Sequence, residues 1–131
     1  MQDYRKLRVW QHAHRLTLET YAFSAVLTSP PAWPLRTQLL RASISVSSNI
    51  AEGAGRGTDA DFNRFLRQSL GSLNEVEYYF LLARDLDFLG PAEHQRLNGL
   101  VSDVRRMLSG LIAELTSSIS RQASRPSKKE T

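Results

Sequence analysis

The three histidines, His12, His14 and His94, are the side chains best suited to chemistry, since imidazole binds metals and transfers protons near neutral pH. His12 and His14 are two residues apart, so on a helix their side chains point about 200° apart and form no joint metal pair. Neither follows a glutamate by three residues, as the Glu-x-x-His pairs of di-iron bundles require. The chain has no cysteine, which excludes thiolate zinc sites and cysteine nucleophiles. We therefore predict no metal, cofactor, catalytic residue, small-molecule substrate or enzyme activity.

Polar side chains on the second and third predicted helices have the types and spacing of a structural hydrogen-bonded network. The set consists of Gln38, Arg41, Asn49, Glu52 and Glu77. Glu77 falls near the apolar face of its helix, where an unpaired carboxylate is costly, so we expect Arg41 or Arg84 to pair with it. Asn49 and Glu52 are three residues apart and either join Gln38 and Arg41 or cap the end of their helix. We favour the capping role.

Basic residues are concentrated near the two chain ends. The net charge is +4, of which residues 121–131 contribute +3, leaving +1 for residues 1–120. Residues 121–131 contain no apolar side chain larger than alanine, which predicts a disordered basic tail after a domain of residues 1–120. Interleaved aromatic and basic residues, typical of single-strand stacking surfaces, are absent, so any nucleic-acid binding is expected to be weak and sequence-independent. The residues predicted to contact phosphates are Arg5, Lys6, Arg8, Arg15, Arg121, Arg125, Lys128 and Lys129.

Hydrophobic periodicity predicts four helices that position these residues. Their predicted ranges are 4–27, 33–52, 59–87 and 91–119. Thr58, followed three residues later by Asp61, resembles a capping box at the start of the third helix. The glycine-rich turn before it, residues 53–57, is disfavoured as a phosphate site because Asp59 and Asp61 would repel a phosphate there.

Long helices joined by short turns predict an all-α fold, an antiparallel up-down-up-down four-helix bundle. The predicted core comprises Leu16, Val46, Leu66, Leu73, Phe80, Val101, Val104, Leu108 and Leu111. No run approaches the roughly 20 apolar residues of a membrane span. Since the absence of cysteine suits a reducing compartment, we expect a cytoplasmic protein without a membrane partner.

The first two predicted helices each carry a second apolar stripe beside the one that faces the core. On the second helix the apolar and small sector covers about half the circumference, more than the roughly 100° that packing against one core requires. A second stripe indicates a second neighbour, which we expect to be another copy of the chain. The residues predicted to be buried between subunits are Trp10, Tyr21, Leu40 and Ile44.

Three segments in order resemble one family of small bacterial four-helix-bundle proteins, the 23S rRNA intervening sequence proteins. They are LRVWQHA at 7–13, QLLRASISVSSNIAEGAGR at 38–56 and FNRFLRQSLGSLNEVE at 62–77. The resemblance implies a non-catalytic protein that assembles as a homopentamer. Some members are encoded in intervening sequences of large-subunit rRNA genes. Relatives are accessory proteins of diversity-generating reverse transcriptases, where a basic pentamer contacts nucleic acid and the transcriptase.

Two functions agree with this resemblance. The first is an oligomeric scaffold or adaptor that binds RNA or an RNA-handling protein. The alternative is a protein-interaction module without a nucleic-acid role. The nearly neutral charge of residues 1–120 argues against a strongly basic channel.

Overall fold

Four long α-helices form the structure, a computed structural model that describes residues 2–124. The helices are α1 (Arg8–Ser24), α2 (Trp33–Ala54), α3 (Asp59–Asp85) and α4 (Pro91–Ala123). Two short 3-10 helices, Tyr4–Lys6 and Pro30–Ala32, precede α1 and α2. Residues 2–124 contain no strand, which confirms the all-α class for this part of the chain. Within the same range, no helix combines the length and apolar character needed to cross a membrane.

Local chemistry explains most of the helix ends. Helices α2 and α4 carry proline in their first turn, where its missing N–H leaves no bond unmade. Helix α3 starts as predicted after Thr58, whose side-chain oxygen accepts a hydrogen bond from the Asp61 N–H at 3.2 Å. It ends two residues before the predicted position because Asp87 adopts a left-handed conformation with φ 63°. The Phe88 N–H then donates to the Ala83 carbonyl at 2.8 Å, as in a Schellman motif.

Helix α1 is shorter than the predicted range 4–27. The Asp3 carboxylate caps the first 3-10 helix, and Leu7 then adopts an extended conformation that separates this turn from α1. At the other end, α1 stops at Ser24, whose carbonyl accepts a hydrogen bond from the Leu27 N–H at 3.0 Å. This turn carries Leu27 into the core, where it is completely buried.

One apolar core lies between the four helices, with α2 packed on α1 and α3, and α4 packed on α3 and α1. The predicted core residues are buried except Leu111, which is only partly buried. Ile112 takes the core position instead and is 8% exposed. A straight helix drifts by about 20° per heptad from strict alternation of three and four residues. The core position therefore moves four residues beyond Leu108 rather than three.

Helix α4 continues to Ala123, past the predicted domain boundary at residue 120. Arg121 is therefore an exposed residue of the last helical turn rather than part of a disordered tail. Arg125, Lys128 and Lys129 of the predicted tail lie outside the described residues.

Helices α2 and α3 approach each other closely at Gly53 of α2. A Cβ atom added to Gly53 would lie 2.8 Å from Phe65 Cβ and 2.9 Å from Phe62 Cδ1, closer than carbon atoms normally approach. Farther along the same contact, the buried Ser69 hydroxyl donates to the Val46 carbonyl at 2.7 Å. Small side chains therefore set the separation between α2 and α3.

Two glycine substitutions are expected to change stability in opposite directions. Gly71→Ala, on an exposed part of α3 where an added Cβ has no neighbour within 4 Å, should raise the free energy of unfolding by about 0.5–1 kcal/mol. Gly53→Ala should lower it by about 1–3 kcal/mol, because the methyl group overpacks the contact with Phe62 and Phe65. Urea unfolding followed by circular dichroism measures both changes. Equal gains at the two sites would contradict the close α2–α3 contact.

Candidate interaction surfaces

The predicted polar network divides into separate groups, the first of which joins α2 to α3. Arg41 Nε donates to Gln38 Oε1 at 3.0 Å, and an Arg41 terminal nitrogen donates to Glu75 Oε2 at 2.7 Å. The Tyr79 hydroxyl donates to the same carboxylate at 3.3 Å. The hydrogen bond with Glu75 holds the pKa of Arg41 above its usual value. Sequence reasoning missed Glu75 and Tyr79, although their spacing of four residues placed them on one edge of a helix.

Glu77 pairs with neither Arg41 nor Arg84, so that prediction was wrong. Its two carboxylate oxygens accept hydrogen bonds from Arg105 of α4, each at 3.0 Å. The same guanidinium group donates to Asn74 Oδ1 at 2.8 Å. Glu77 lies on the α4 side of α3, whereas Arg41 meets the opposite side, which explains the change of partner. The pair fixes α3 against α4.

Asn49 and Glu52 neither join Gln38 and Arg41 nor cap α2 through their side chains. Asn49 Nδ2 reaches back one turn and donates to the carbonyl and hydroxyl oxygens of Ser45, at 2.8 and 2.9 Å. The Glu52 carboxylate instead accepts from Arg56, four residues later, at 2.6 Å. The helix end is closed by a backbone bond from the Gly55 N–H to the Glu52 carbonyl at 3.2 Å. Partners four residues away, Ser45 on α2 and Arg56 in the turn after it, therefore replaced both expected roles.

Side-chain hydroxyl groups connect α2 to both neighbours. The Thr17 hydroxyl of α1 lies 2.9 Å from the Ser43 carbonyl and 2.7 Å from the Ser47 hydroxyl. On the other side, the hydroxyls of Ser45 and Ser72 lie 2.7 Å apart. The large apolar side chains of α2 that do not face the core are consequently directed outward.

An apolar surface, here called the α1–α2 outer face, contains the residues predicted to lie between subunits. It consists of Trp10, His14, Tyr21, Leu40 and Ile44. Tyr21 is 48% exposed and Ile44 is 44% exposed, while Trp10 and Leu40 are partly buried. Trp10 packs edge-on against Tyr4 with ring centroids 5.0 Å apart and stacks parallel to His14 at 4.7 Å. The face therefore presents a pre-arranged aromatic group beside exposed apolar side chains.

The predicted phosphate-binding residues are not equivalent in the structure. Arg5 pairs with Asp3 at 3.0 Å, although its side chain remains 71% exposed. Other basic residues form no salt bridge within residues 2–124. They are Lys6, Arg8, Arg15, Arg36, Arg67 and Arg121.

Four of these cations lie at one end of the molecule, here called the cationic end: Lys6, Arg8, Arg67 and Arg121. Two contacts bring the helix termini together there. The Gln2 N–H donates to the Ala54 carbonyl at 2.9 Å, and the Ser118 hydroxyl donates to the Asp59 carboxylate at 2.9 Å. Arg15 lies about as far along α1 as Arg67 lies along α3. Sequence reasoning did not select Arg67.

Two arginines also contact one aromatic ring at the α2–α3 turn. Arg56 of the α2–α3 turn lies 4.8 Å from the centroid of the Phe65 ring, and Arg64 of α3 lies 4.5 Å from it. Arg64 and Phe65 are adjacent in sequence, whereas Arg56 is brought onto the ring by the α2–α3 turn. Both guanidinium groups also lie near carboxylates, at 2.6 Å from Glu52 and 3.7 Å from Asp61 respectively.

Comparison with known proteins places this arrangement in a family. The model of the 23S rRNA-intervening sequence protein family matches residues 5–110. The chain belongs to this family. A crystal structure of a protein of unknown function from the S23 ribosomal protein family of Bacteroides thetaiotaomicron is also similar. It has 21% identity and a TM-score of 0.75, and the match covers 79% of this chain and 97% of that one, which shows the fold alone. No curated protein matches the chain.

In this member of the 23S rRNA-intervening sequence protein family, the matched range includes the α1–α2 outer face and both interhelical polar groups. It also includes Lys6, Arg8 and Arg67 of the cationic end. Arg121 and the residues after it lie beyond the matched range. The matched range therefore contains all the residues of the α1–α2 outer face but only three of the four cations of the cationic end.

Arg96 ties the start of α4 to α1. Its guanidinium donates to Glu93 Oε1 at 2.6 Å and Oε2 at 3.1 Å, and to Glu19 Oε2 of α1 at 3.0 Å. The hydrogen bonds from Arg96 lower the pKa of Glu93 below its ordinary 4.5. Glu93, and then Glu19, raise the pKa of Arg96 in return.

The lowered pKa of Glu93 predicts a stability difference that depends on pH. Because the folded-state value lies below 4.5, ionised Glu93 stabilises the fold above that pH, and the effect is lost as pH falls through the folded-state pKa. Glu93→Gln should therefore be less stable than the wild type near neutral pH and approach it at about pH 3. The matched control is Glu114→Gln, whose carboxylate forms no salt bridge within residues 2–124. Urea midpoints against pH measure the effect, and a Glu93→Gln deficit that persists in acid would contradict it.

Proposed function

We propose that this protein is a non-catalytic, self-associating scaffold that binds RNA. The observation that carries the proposal is the presence of two chemically different surfaces, the apolar α1–α2 outer face and the cationic end. An apolar patch of aromatic and aliphatic side chains favours a protein neighbour. Unpaired lysine and arginine side chains favour phosphate groups. The resemblance to nucleic-acid-binding accessory proteins supports the same division of roles.

The proposed monomer is an antiparallel up-down-up-down bundle. Contact pairs between α2 and α3 support this topology, since Ser45 meets Ser72 while the earlier residue Arg41 meets the later residue Glu75. The proposed assembly is a homopentamer, as the family resemblance implies. The α1–α2 outer face is its proposed subunit contact.

A non-catalytic role is supported by the way the chemically capable side chains are used. Both carboxylate oxygens of Glu77 accept hydrogen bonds from Arg105, so this carboxylate already has a structural partner. The His14 ring is stacked on Trp10 with an angle of 9° between the planes. In the proposed scaffold, Glu77 therefore forms a structural ion pair and His14 packs against an aromatic ring.

A protein-interaction module without nucleic-acid binding is the second candidate, and a groove between α2 and α3 favours it. The groove, about 280 Å³ in volume, is lined mainly by apolar side chains: Pro31, Pro34, Leu35, Gln38, Tyr79, Leu82 and Leu86. Leu86 is 51% exposed, which is typical of a surface that a partner covers. Direct measurement of RNA binding distinguishes the two candidates.

Self-association through the α1–α2 outer face predicts that Ile44→Asp shifts the protein towards the monomer. A carboxylate at this position would lose water without gaining a cation when subunits meet. The matched control is Tyr78→Asp, since Tyr78 is 54% exposed on α3, outside this face. Sedimentation of the folded proteins at micromolar concentration measures the effect. A monomeric wild type would contradict self-association, and an equal shift in both variants would contradict the assigned face.

RNA binding by the full chain should be measurable at low salt and should weaken as salt rises. A suitable probe is a fluorescent oligouridylate of about 20 nucleotides, which has no base pairing. Each phosphate contact with a single strand contributes about −0.7 to the slope of log affinity against log salt. Arg125→Gln/Lys128→Gln/Lys129→Gln, in the full-length chain, should reduce both affinity and slope. Absence of wild-type binding at low salt would contradict the function and favour the protein-interaction module.

A further inference from the structure

Four arginines surround the outward side of the second half of α4. Arg106 and Arg121 are fifteen residues apart on this helix, a distance of about 22 Å at 1.5 Å per residue. Between them the exposed positions carry mostly small side chains, Ser109, Gly110, Ala113, Thr116, Ser117 and Ser120, together with one carboxylate, Glu114. We call this surface the α4 strip.

The neighbouring helices add one guanidinium group on each side of the strip. Arg8 of α1 lines a groove of about 340 Å³ together with Arg106 and Gly110. On the opposite side, Arg67 of α3 donates to Thr116 Oγ1 of α4 at 3.4 Å. The strip is therefore flanked by cations that come from three helices and are far apart in sequence.

Nearby carboxylates neutralise these cations only in part. Glu114 lines the same groove as Arg8. Arg106 pairs with Asp103 at 3.2 Å, yet its side chain remains 73% exposed. Arg8, Arg67 and Arg121 form no salt bridge within residues 2–124. The Asp59 carboxylate of α3 accepts a hydrogen bond from Ser118 of α4 at 2.9 Å. Four guanidinium groups thus face three carboxylates around the strip.

We infer that the α4 strip is the surface that holds the RNA backbone, an assignment that rests on the proposed RNA-binding function. Guanidinium groups donate paired hydrogen bonds to phosphate oxygens, which suits a row of phosphates. The small residues of the strip offer no aromatic or large aliphatic side chain to anchor a protein partner. Leu7, Met107 and Leu111 lie in the groove beside it. Its small residues let a strand approach the helix closely, and its length accepts a short run of nucleotides. Recognition through phosphates makes the binding independent of sequence.

The charge test compares two full-length double variants with equal loss of charge. Arg8→Gln/Arg67→Gln removes the flanking cations of the strip, whereas Arg36→Gln/Arg84→Gln removes two arginines near the start of α2 and the end of α3. The first variant has two phosphate contacts fewer than the wild type, so raising salt from about 50 to 200 mM should weaken its binding to oligouridylate about 7-fold less than it weakens wild-type binding. It should also bind more weakly than the wild type at low salt. The second should behave like the wild type.

A second test keeps the charge constant. Gly110→Leu places a bulky side chain in the middle of the strip, where an added Cβ meets nothing within 4 Å, so the fold accommodates it. Gly99→Leu is the control, because Gly99 has equally open surroundings and lies on the same side of α4, three turns earlier. Gly110→Leu should weaken RNA binding and Gly99→Leu should not.

The outcomes separate this inference from the function on which it rests. If the wild type binds oligouridylate, and in each test the strip variant binds as well as its control variant, the assignment of RNA to the α4 strip is wrong. The RNA-binding function is then still supported. If polyglutamate of equal charge competes as well as oligouridylate, the assignment to RNA phosphates is overturned. If the wild type fails to bind at low salt, both the RNA-binding function and the assignment of the α4 strip are wrong.

Discussion

The close approach of α2 to α3 at Gly53 is the contact on which the rest of the structure depends. Any larger residue there would collide with Phe62 and Phe65, so the two helices could not keep their present separation. The same contact contains the bond from Ser69 to the Val46 carbonyl, which is buried and needs this separation to form. The position of α3 in turn sets the distance at which Arg105 of α4 reaches Glu77.

The composition of α2 follows from its place between two neighbours. Serine, valine and isoleucine are weak helix formers, so packing rather than intrinsic propensity stabilises this helix. Serine hydroxyls bond to groups on α1 and α3, which lets both neighbours approach without leaving buried polar atoms unpaired. Leu40 and Ile44 then have no place inside the monomer. Because small residues of α2 contact the neighbouring helices, its large residues Leu40 and Ile44 are left on the outside and create a surface for another chain.

The positions of the helices were predicted from the sequence more accurately than the partners of the polar side chains. Proline and threonine act on the residues beside them, so the starts of α2, α3 and α4 were predicted correctly. The end of α1 was missed because Leu27 turns into a core that only the complete fold creates. Leu111 was chosen over Ile112 because a strict heptad ignores the drift of a straight helix. Arg105 was not predicted as the partner of Glu77, because helical periodicity does not relate two residues that are 28 positions apart.

The net charge of residues 1–120 does not describe their surface, because salt bridges are unevenly distributed along the molecule. In the middle and at the opposite end, cations such as Arg96 and Arg105 are bound to carboxylates, whereas Arg8 and Arg67 are not. Helix α4 has 33 residues and is therefore about 50 Å long. The Debye length is only about 10 Å at 0.1 M salt. Acidic residues at one end of such a helix cannot cancel the potential at the other, so a nearly neutral domain presents a distinctly positive end to a polyanion.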